Sequence, residues 1–185
     1  GIGEMLGFLV ETVAISLSGV MAPGPITAVT VGRGGKSPHA GAWVAVGHGI
    51  VEFPLIFAIY YGFGRWFERP AVQTGIASAG GLFLLYMGLT MLRGLLARQE
   101  ETPVADALER RRPVTVGALL SLGSPYFLIW WATVGAALTM RAAAYGWAGL
   151  LAFAAVHWSC DFGWLYLLSS LSYRGGRVFG QRFQQ

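Results

Sequence analysis

Four polar side chains with matching spacing stand in otherwise apolar stretches of the chain. Residues 45–54 read AVGHGIVEFP and residues 154–163 read AAVHWSCDFG, so a histidine precedes an acid by four positions in both. The four residues are His48, Glu52, His157 and Asp161. Positions i and i+4 share one face of a helix. Each segment therefore predicts a helix with a histidine and an acid side by side.

Two imidazoles and two carboxylates could support different chemistry. If they converge, they form a donor set suited to Zn²⁺, Mn²⁺ or a similar divalent ion. The histidines could instead keep the acids ionised or pass protons to them, so that the acids accept and release a proton during transport. A purely structural pairing is the third interpretation. Since a charge at mid-bilayer costs between about 3 and 10 kcal/mol or more, Glu52 and Asp161 should face the interior of the protein.

Two proline-containing breaks accompany the His–acid segments. Pro23-Gly24-Pro25 should unwind a helix, because proline removes an amide donor and glycine tolerates unusual dihedral angles. Ser124-Pro125 is a weaker copy, and a simple kink is the alternative at both places. A half-helix that begins at a break directs its amides at an anionic group such as a substrate carboxylate. The predicted substrate-binding residues are Pro23, Gly24, Pro25, Glu52, Ser124, Pro125 and Asp161. The predicted proton-coupling or metal-binding residues are His48, Glu52, His157 and Asp161.

Long apolar stretches must position these residues. The 185-residue chain is 55% hydrophobic and 12% charged, whereas soluble domains carry about 25% charged residues. Five stretches reach the roughly 20 residues that cross a bilayer core about 30 Å thick. They cover residues 5–32, 40–63, 72–96, 114–139 and 144–172. The predicted fold is an all-α, polytopic transmembrane helical bundle with five spans in this chain.

Basic residues in the loops predict the orientation of the spans. Ten of the 13 arginines and lysines fall on one side of the predicted membrane, and the side richer in them is cytoplasmic. The ten are Arg33, Lys36, Arg93, Arg98, Arg110, Arg111, Arg112, Arg174, Arg177 and Arg182. In an inner or plasma membrane, the N-terminus then faces outward and the basic loops and C-terminal tail are cytoplasmic. Glu4 and Glu11 stand where a cleaved leader would be basic, so the first stretch should remain as a span.

The chain also divides into two similar halves. Residues 97–113 carry the only strongly charged run and should form a cytoplasmic linker. Residues 1–96 contain three spans, and residues 114–185 contain two spans and a basic tail. Three spans separate the starts of the halves, and an odd number reverses direction. The prediction is an inverted three-helix repeat with broken helices 1 and 4. Its sixth span would have to come from further chain or from a partner element, because the residues after 172 are too few and too polar to cross.

Two functions remain after other classes are set aside. No nucleophile with an adjacent base, phosphate-binding loop or nucleic-acid motif occurs, so neither an enzyme nor a nucleic-acid partner is predicted. The first hypothesis is a secondary transporter that exports an amino acid or similar small solute by alternating access, with proton coupling. The alternative is a divalent metal-ion transporter that uses the two-His, two-carboxylate set. The predicted partners are lipid, a small-molecule substrate and, as an option, a second copy of the chain. No cofactor is expected, with a divalent ion left open.

Several segments resemble the lysine-exporter (LysE/RhtB) family of membrane permeases. They are APGPI at 22–26, Arg33-x-Gly35, Gly47 with Glu52, SPYFLIWWATVG at 124–135 and HWSCDFGW at 157–164. The last segment is similar to a branch of that family with matching His-x-x-x-acid segments in spans two and five. The resemblance implies a six-span, inverted-repeat exporter of amino acids or related small solutes that is driven by an ion gradient.

Overall fold

A computed structural model describes residues 1–63 and 110–182 and isolated residues between them. The isolated residues are 66, 69–72, 74, 75, 78, 82, 85, 89, 107 and 108. The helices are α1 (Ile2–Val20), α2 (Pro25–Gly34), α3 (Ala40–Ala58), α4 (Pro113–Leu122), α5 (Pro125–Trp130), α6 (Ala136–Ala143) and α7 (Gly146–Arg182). Two π-helical segments, Ile59–Phe63 and Trp131–Gly135, follow α3 and α5. No strand occurs among the described residues, so the all-α prediction is confirmed.

The helices that could cross a membrane follow the apolar stretches. Ile2–Val20, Ala40–Gly62 and Gly146–Arg177 are each long and apolar enough to do so alone. A fourth crossing is available if Pro113–Leu122 and Pro125–Ala143 form one span bent by 61°. Large apolar side chains remain exposed on these helices, as expected of surfaces that face lipid. The chain is therefore a multi-pass membrane protein.

The boundaries of the predicted segments need some revision. The predicted first span, 5–32, is divided between α1 and α2. Helix α7 covers most of the predicted fifth span, 144–172, and continues through the basic tail to Arg182. Most of the predicted third span, 72–96, and most of the linker, 97–113, lie outside the described residues.

The first predicted break is present between α1 and α2. Gly24 has φ −171° and ψ −177°, and Pro25 occupies the first turn of α2. Proline fits there because the first amides of a helix have no intrahelical acceptor. Because glycine has no side chain, Gly24 cannot cap the first amides of α2.

The second predicted break separates α4 from α5 and has a different chemistry. Ser124 is the N-cap of α5, and its Oγ accepts a hydrogen bond of 3.3 Å from the Phe127 amide. Pro125 again occupies the first turn. The two breaks thus share their proline but differ in capping, since only α5 carries its own acceptor.

Helices α3 and α4 cross at two glycines in close contact. A Cβ atom on Gly47 would overlap the Val114 carbonyl oxygen, and one on Gly117 would overlap the Val44 carbonyl oxygen. Small residues at a crossing let two backbones approach closely within a membrane. The close approach of the two backbones sets the distance between His48, one residue after Gly47, and Ser121, four residues after Gly117.

A packed apolar cluster closes the bundle on the predicted outer side. Its buried members include Phe8, Ile56, Ile59, Trp131, Leu150 and Phe153, hereafter the outer core. They come from the beginning of α1, the end of α3 and its π-helical extension, the beginning of α7 and the segment after α5. Trp131 also lines the cavity described below.

Candidate functional site

The four polar residues identified in the sequence meet between α3 and α7. Their exposed fractions are 7% for His48, 0% for Glu52, 3% for His157 and 6% for Asp161. Glu52 Oε1 lies 3.2 Å from His48 Nε2 and 3.0 Å from His157 Nε2. The Asp161 carboxylate lies 3.5 Å from each of the same nitrogens, through Oδ1 for His48 and Oδ2 for His157. The structure thus brings together both predicted His–acid pairs, hereafter the His–acid ring.

Two buried serines orient the histidines from behind. Ser121 Oγ lies 2.7 Å from His48 Nδ1, and Ser16 Oγ lies 2.7 Å from His157 Nδ1. The sequence interpretation missed both contacts. Ser18, at the position before Gly19 in the first broken helix, is the residue that corresponds to Ser121 before the second break. Ser18 instead donates to the Ile15 carbonyl and is exposed. The only signal for Ser16 was a hydroxyl in the middle of an apolar span.

The hydrogen bonds of Ser121 determine the tautomer of His48. Ser121 Oγ donates to the Gly117 carbonyl at 2.7 Å, so it accepts from His48 and Nδ1 carries the proton. In a neutral ring, Nε2 is then a lone pair that faces two carboxylates. That arrangement is repulsive unless a proton, on Nε2 or on a carboxyl oxygen, or a bound cation lies between them. The His–acid ring therefore requires a shared proton or a bound cation.

Two carboxylate oxygens in the ring are left without a hydrogen bond. Glu52 Oε2 and Asp161 Oδ2 are buried and have no hydrogen-bond partner among the described residues. A buried polar atom in this state costs about 1–3 kcal/mol, and more when it is charged. Both oxygens are thus available to a ligand that carries donors or positive charge.

A cavity of about 250 Å³ joins the ring to both helix breaks. It is lined by Pro23, Gly24, Pro25, Ser124 and Pro125 together with His48, Glu52, His157 and Asp161. All the predicted site residues therefore border one space. The aromatic rings of Phe127, Trp130 and Trp131 form part of its wall, and Trp130 stacks on His157 with centroids 5.0 Å apart. No lysine or arginine occurs among the described lining residues, whereas two acids and two histidines do.

The two breaks present different groups to this cavity. At α2, Gly24 provides no side-chain cap, and Ile26 and Thr27 in the first turn also line the cavity. At α5, the Ser124 hydroxyl already occupies the Phe127 amide. The geometry thus favours the α2 end as the seat for an anionic group.

Glu11, whose role the sequence did not indicate, forms an ion pair at the predicted outer end. Arg141 donates from Nη1 to Glu11 Oε1 at 2.9 Å and from Nη2 to Oε2 at 2.6 Å. The guanidinium also lies 5.0 Å from the centre of the Phe8 ring. The pair connects α1 to α6 over the outer core.

Comparison with known proteins gives one match. A family model described as LysE type translocator matches residues 17–185, which includes both breaks and the whole His–acid ring. Comparisons with curated proteins and with solved structures gave no match.

Proposed function

Since this chain belongs to the LysE type translocator family, a family of membrane transporters, we propose that it exports amino acids or similar small solutes by alternating access. Transport would be secondary-active and coupled to protons. One observation carries the proposal: a single cavity connects an uncapped helix N-terminus to two buried acids. An amino acid needs these two kinds of partner, one for its carboxylate and one for its ammonium group.

The substrate would bind along the cavity with its charges separated. Its carboxylate would accept hydrogen bonds from the first-turn amides of α2, where the helix dipole also favours an anion. Its ammonium group would face Glu52 Oε2 and Asp161 Oδ2, the two carboxylate oxygens that have no hydrogen-bond partner among the described residues. Its apolar part would contact Phe127 and Trp130. Two acids and no lysine or arginine line the described part of the cavity, which favours zwitterionic or cationic solutes over acidic ones.

We base the proposed proton coupling on the His–acid ring, in which the lone pair of His48 Nε2 faces two carboxylates and requires a shared proton or a bound cation. In the absence of another cation, a proton on His48 Nε2 removes the repulsion between its lone pair and the carboxylates. A substrate ammonium group that enters the ring would remove the same repulsion in place of the proton. Substrate and proton would then exchange at the same four side chains, and such exchange at a shared site would couple their transport.

Alternating access requires that one side of the cavity be closed at a time. The outer core and the Glu11–Arg141 pair close the predicted outer side, while the helix breaks line the cavity. Export would require the outer core to separate after the substrate has bound. The opposite face would then have to close over Pro23-Gly24-Pro25.

A counterflow experiment tests the proposal. The purified chain is reconstituted into vesicles that contain one unlabelled amino acid, and uptake of the labelled amino acid is measured across neutral, basic and acidic types. Glu52→Gln and Asp161→Asn should each lower the rate by about 30-fold or more, because loss of one partner of a buried charge pair costs about 2–5 kcal/mol.

The matched control is Glu4→Gln, which neutralises an acid whose side chain is 78% exposed. It should exchange at the unmodified rate. Full activity in both Glu52→Gln and Asp161→Asn, with normal insertion, would refute the proposed mechanism.

A further inference from the structure

The donor atoms of the His–acid ring have the spacing of a metal-binding site. The nitrogen-to-oxygen separations around it are 3.0, 3.2, 3.5 and 3.5 Å. A tetrahedral ion with bonds of roughly 2.0–2.2 Å holds its donor atoms roughly 3.3–3.6 Å apart. These four nitrogen-to-oxygen separations lie near that range, with a different Asp161 oxygen facing each histidine. Donor atoms of His48, Glu52 and Asp161 lie within 4.8 Å of one another, a group that does not include His157.

The groups behind the histidines support the same assignment. A metal-bound histidine usually donates its second ring N–H to a hydrogen-bond acceptor, which fixes its tautomer and orientation. His48 donates from Nδ1 to Ser121 Oγ, and the Ser121 hydroxyl donates its own proton to the Gly117 carbonyl. His157 Nδ1 lies at the same distance, 2.7 Å, from Ser16. Both Nε2 atoms are thereby aimed into the ring.

The two carboxylates supply the negative charge and the accessible oxygen atoms that a metal ion would need. Glu52 and Asp161 together bring two formal negative charges to a buried place. Each also keeps one buried oxygen with no hydrogen-bond partner among the described residues. The cavity borders all four side chains, so an ion could reach them without unfolding a helix.

We propose that the His–acid ring binds one divalent transition-metal ion, with His48 Nε2 and the carboxylates of Glu52 and Asp161 as ligands. His157 Nε2, which lies 3.0 Å from Glu52 Oε1, would move in as the fourth ligand. Two imidazoles and two carboxylates match the preferences of Zn²⁺ and Mn²⁺. The inference extends the proposed function, since it names a metal ion as a cation for which the translocator cavity is built. The ion would compete there with the proton or the substrate ammonium group.

Zinc titration of the full purified chain tests this inference. After treatment with a chelator, Zn²⁺ binding is measured by calorimetry, and the thermal unfolding midpoint is followed with and without Zn²⁺. We expect one ion per chain and a higher midpoint with zinc, because a ligand of the folded state stabilises it. Ser121→Ala should weaken binding by about 10–100-fold, the usual effect of a lost partner behind a metal ligand. His157→Gln should weaken it at least as much.

The chain provides a matched control in its third histidine. His39 is exposed and lies outside the ring, so His39→Gln should bind zinc like the unmodified chain. Asp161→Asn, nearly isosteric, serves as the second ligand variant should His157→Gln fold poorly. Zinc binding by the unmodified chain no tighter than by His48→Gln/His157→Gln would overturn the inference.

The titration separates this inference from the proposed function. Vesicles that exchange an amino acid, formed from a chain that binds no zinc, would overturn the metal site alone. A chain that binds zinc in the ring but exchanges no amino acid would overturn the proposed substrate class alone.

Discussion

Substitution of Gly117 by alanine tests how closely the α3–α4 crossing controls the site. A Cβ atom there would lie 3.0 Å from the Val44 carbonyl carbon and 3.1 Å from the His48 amide nitrogen, and would overlap the Val44 oxygen. Ordinary contacts begin at 3.4 Å, so the helices must separate. Extra methyl groups in a packed interior cost about 1–3 kcal/mol. The same change should lengthen the 2.7 Å bond between His48 and Ser121.

Gly163→Ala is the comparison that isolates this cost. Gly163 also lies within a helix, but a Cβ atom there would meet nothing within 4 Å. Alanine restricts the unfolded backbone more than glycine, a gain of roughly 0.5–1 kcal/mol that applies to both variants. The difference in unfolding free energy between them should therefore equal the packing cost, about 1–3 kcal/mol.

Reversible unfolding in mixed detergent micelles measures the difference, and counterflow measures its consequence at the site. Gly163→Ala should be at least as stable as the unmodified chain and fully active. Gly117→Ala should be less stable than Gly163→Ala and slower in exchange. Equal stability of the two variants would refute the close crossing, and with it the explanation of how His48 and Ser121 are held together.

Two further predictions concern the helix break and the outer ion pair. Ser124→Ala removes the acceptor for the Phe127 amide and should lower the unfolding free energy by about 1 kcal/mol. Ser159 is exposed, so Ser159→Ala should change the unfolding free energy little. Equal losses of unfolding free energy in the two variants would argue against the cap. Glu11→Arg should slow counterflow, because it places two arginines together. Adding Arg141→Glu to the same chain should restore the rate. The pair itself should contribute at most about 1 kcal/mol to stability, because both side chains are half-exposed. Failure of the double variant to recover would show that the charges act separately.

The spacing of the polar residues allowed much of the site to be predicted. A histidine and an acid four residues apart must share a helix face, and recurrence of the pair on a second helix suggested one common site. The prolines at 23, 25 and 125 likewise predicted the breaks, because proline excludes the hydrogen bond that would continue each helix. These features depend on local chemistry, which a sequence states directly.

Contacts between distant segments could not be predicted in the same way. Ser16 meets His157 across 141 positions, and Glu11 meets Arg141 across 130. Which face of α1 turns toward α7 depends on how all the helices pack, and nothing in the local sequence distinguishes Ser16 from Ser18. The different capping of the two breaks was also missed, because Ser124 was considered only as part of a binding segment.

The serine contacts suggest how occupancy of the ring could be transmitted to the helices. His48 on α3 is held by Ser121 on α4, and His157 on α7 is held by Ser16 on α1. Each histidine therefore belongs to one predicted half of the chain and is oriented by the broken helix of the other half. If the two predicted halves moved apart, these 2.7 Å bonds would lengthen, and the imidazoles would lose the contacts that aim Nε2 at the carboxylates. A cation that needs both Nε2 atoms would resist that movement, whereas a cation that needs only the carboxylates would permit it. The identity of the bound cation would thereby decide whether the cavity changes the side to which it opens.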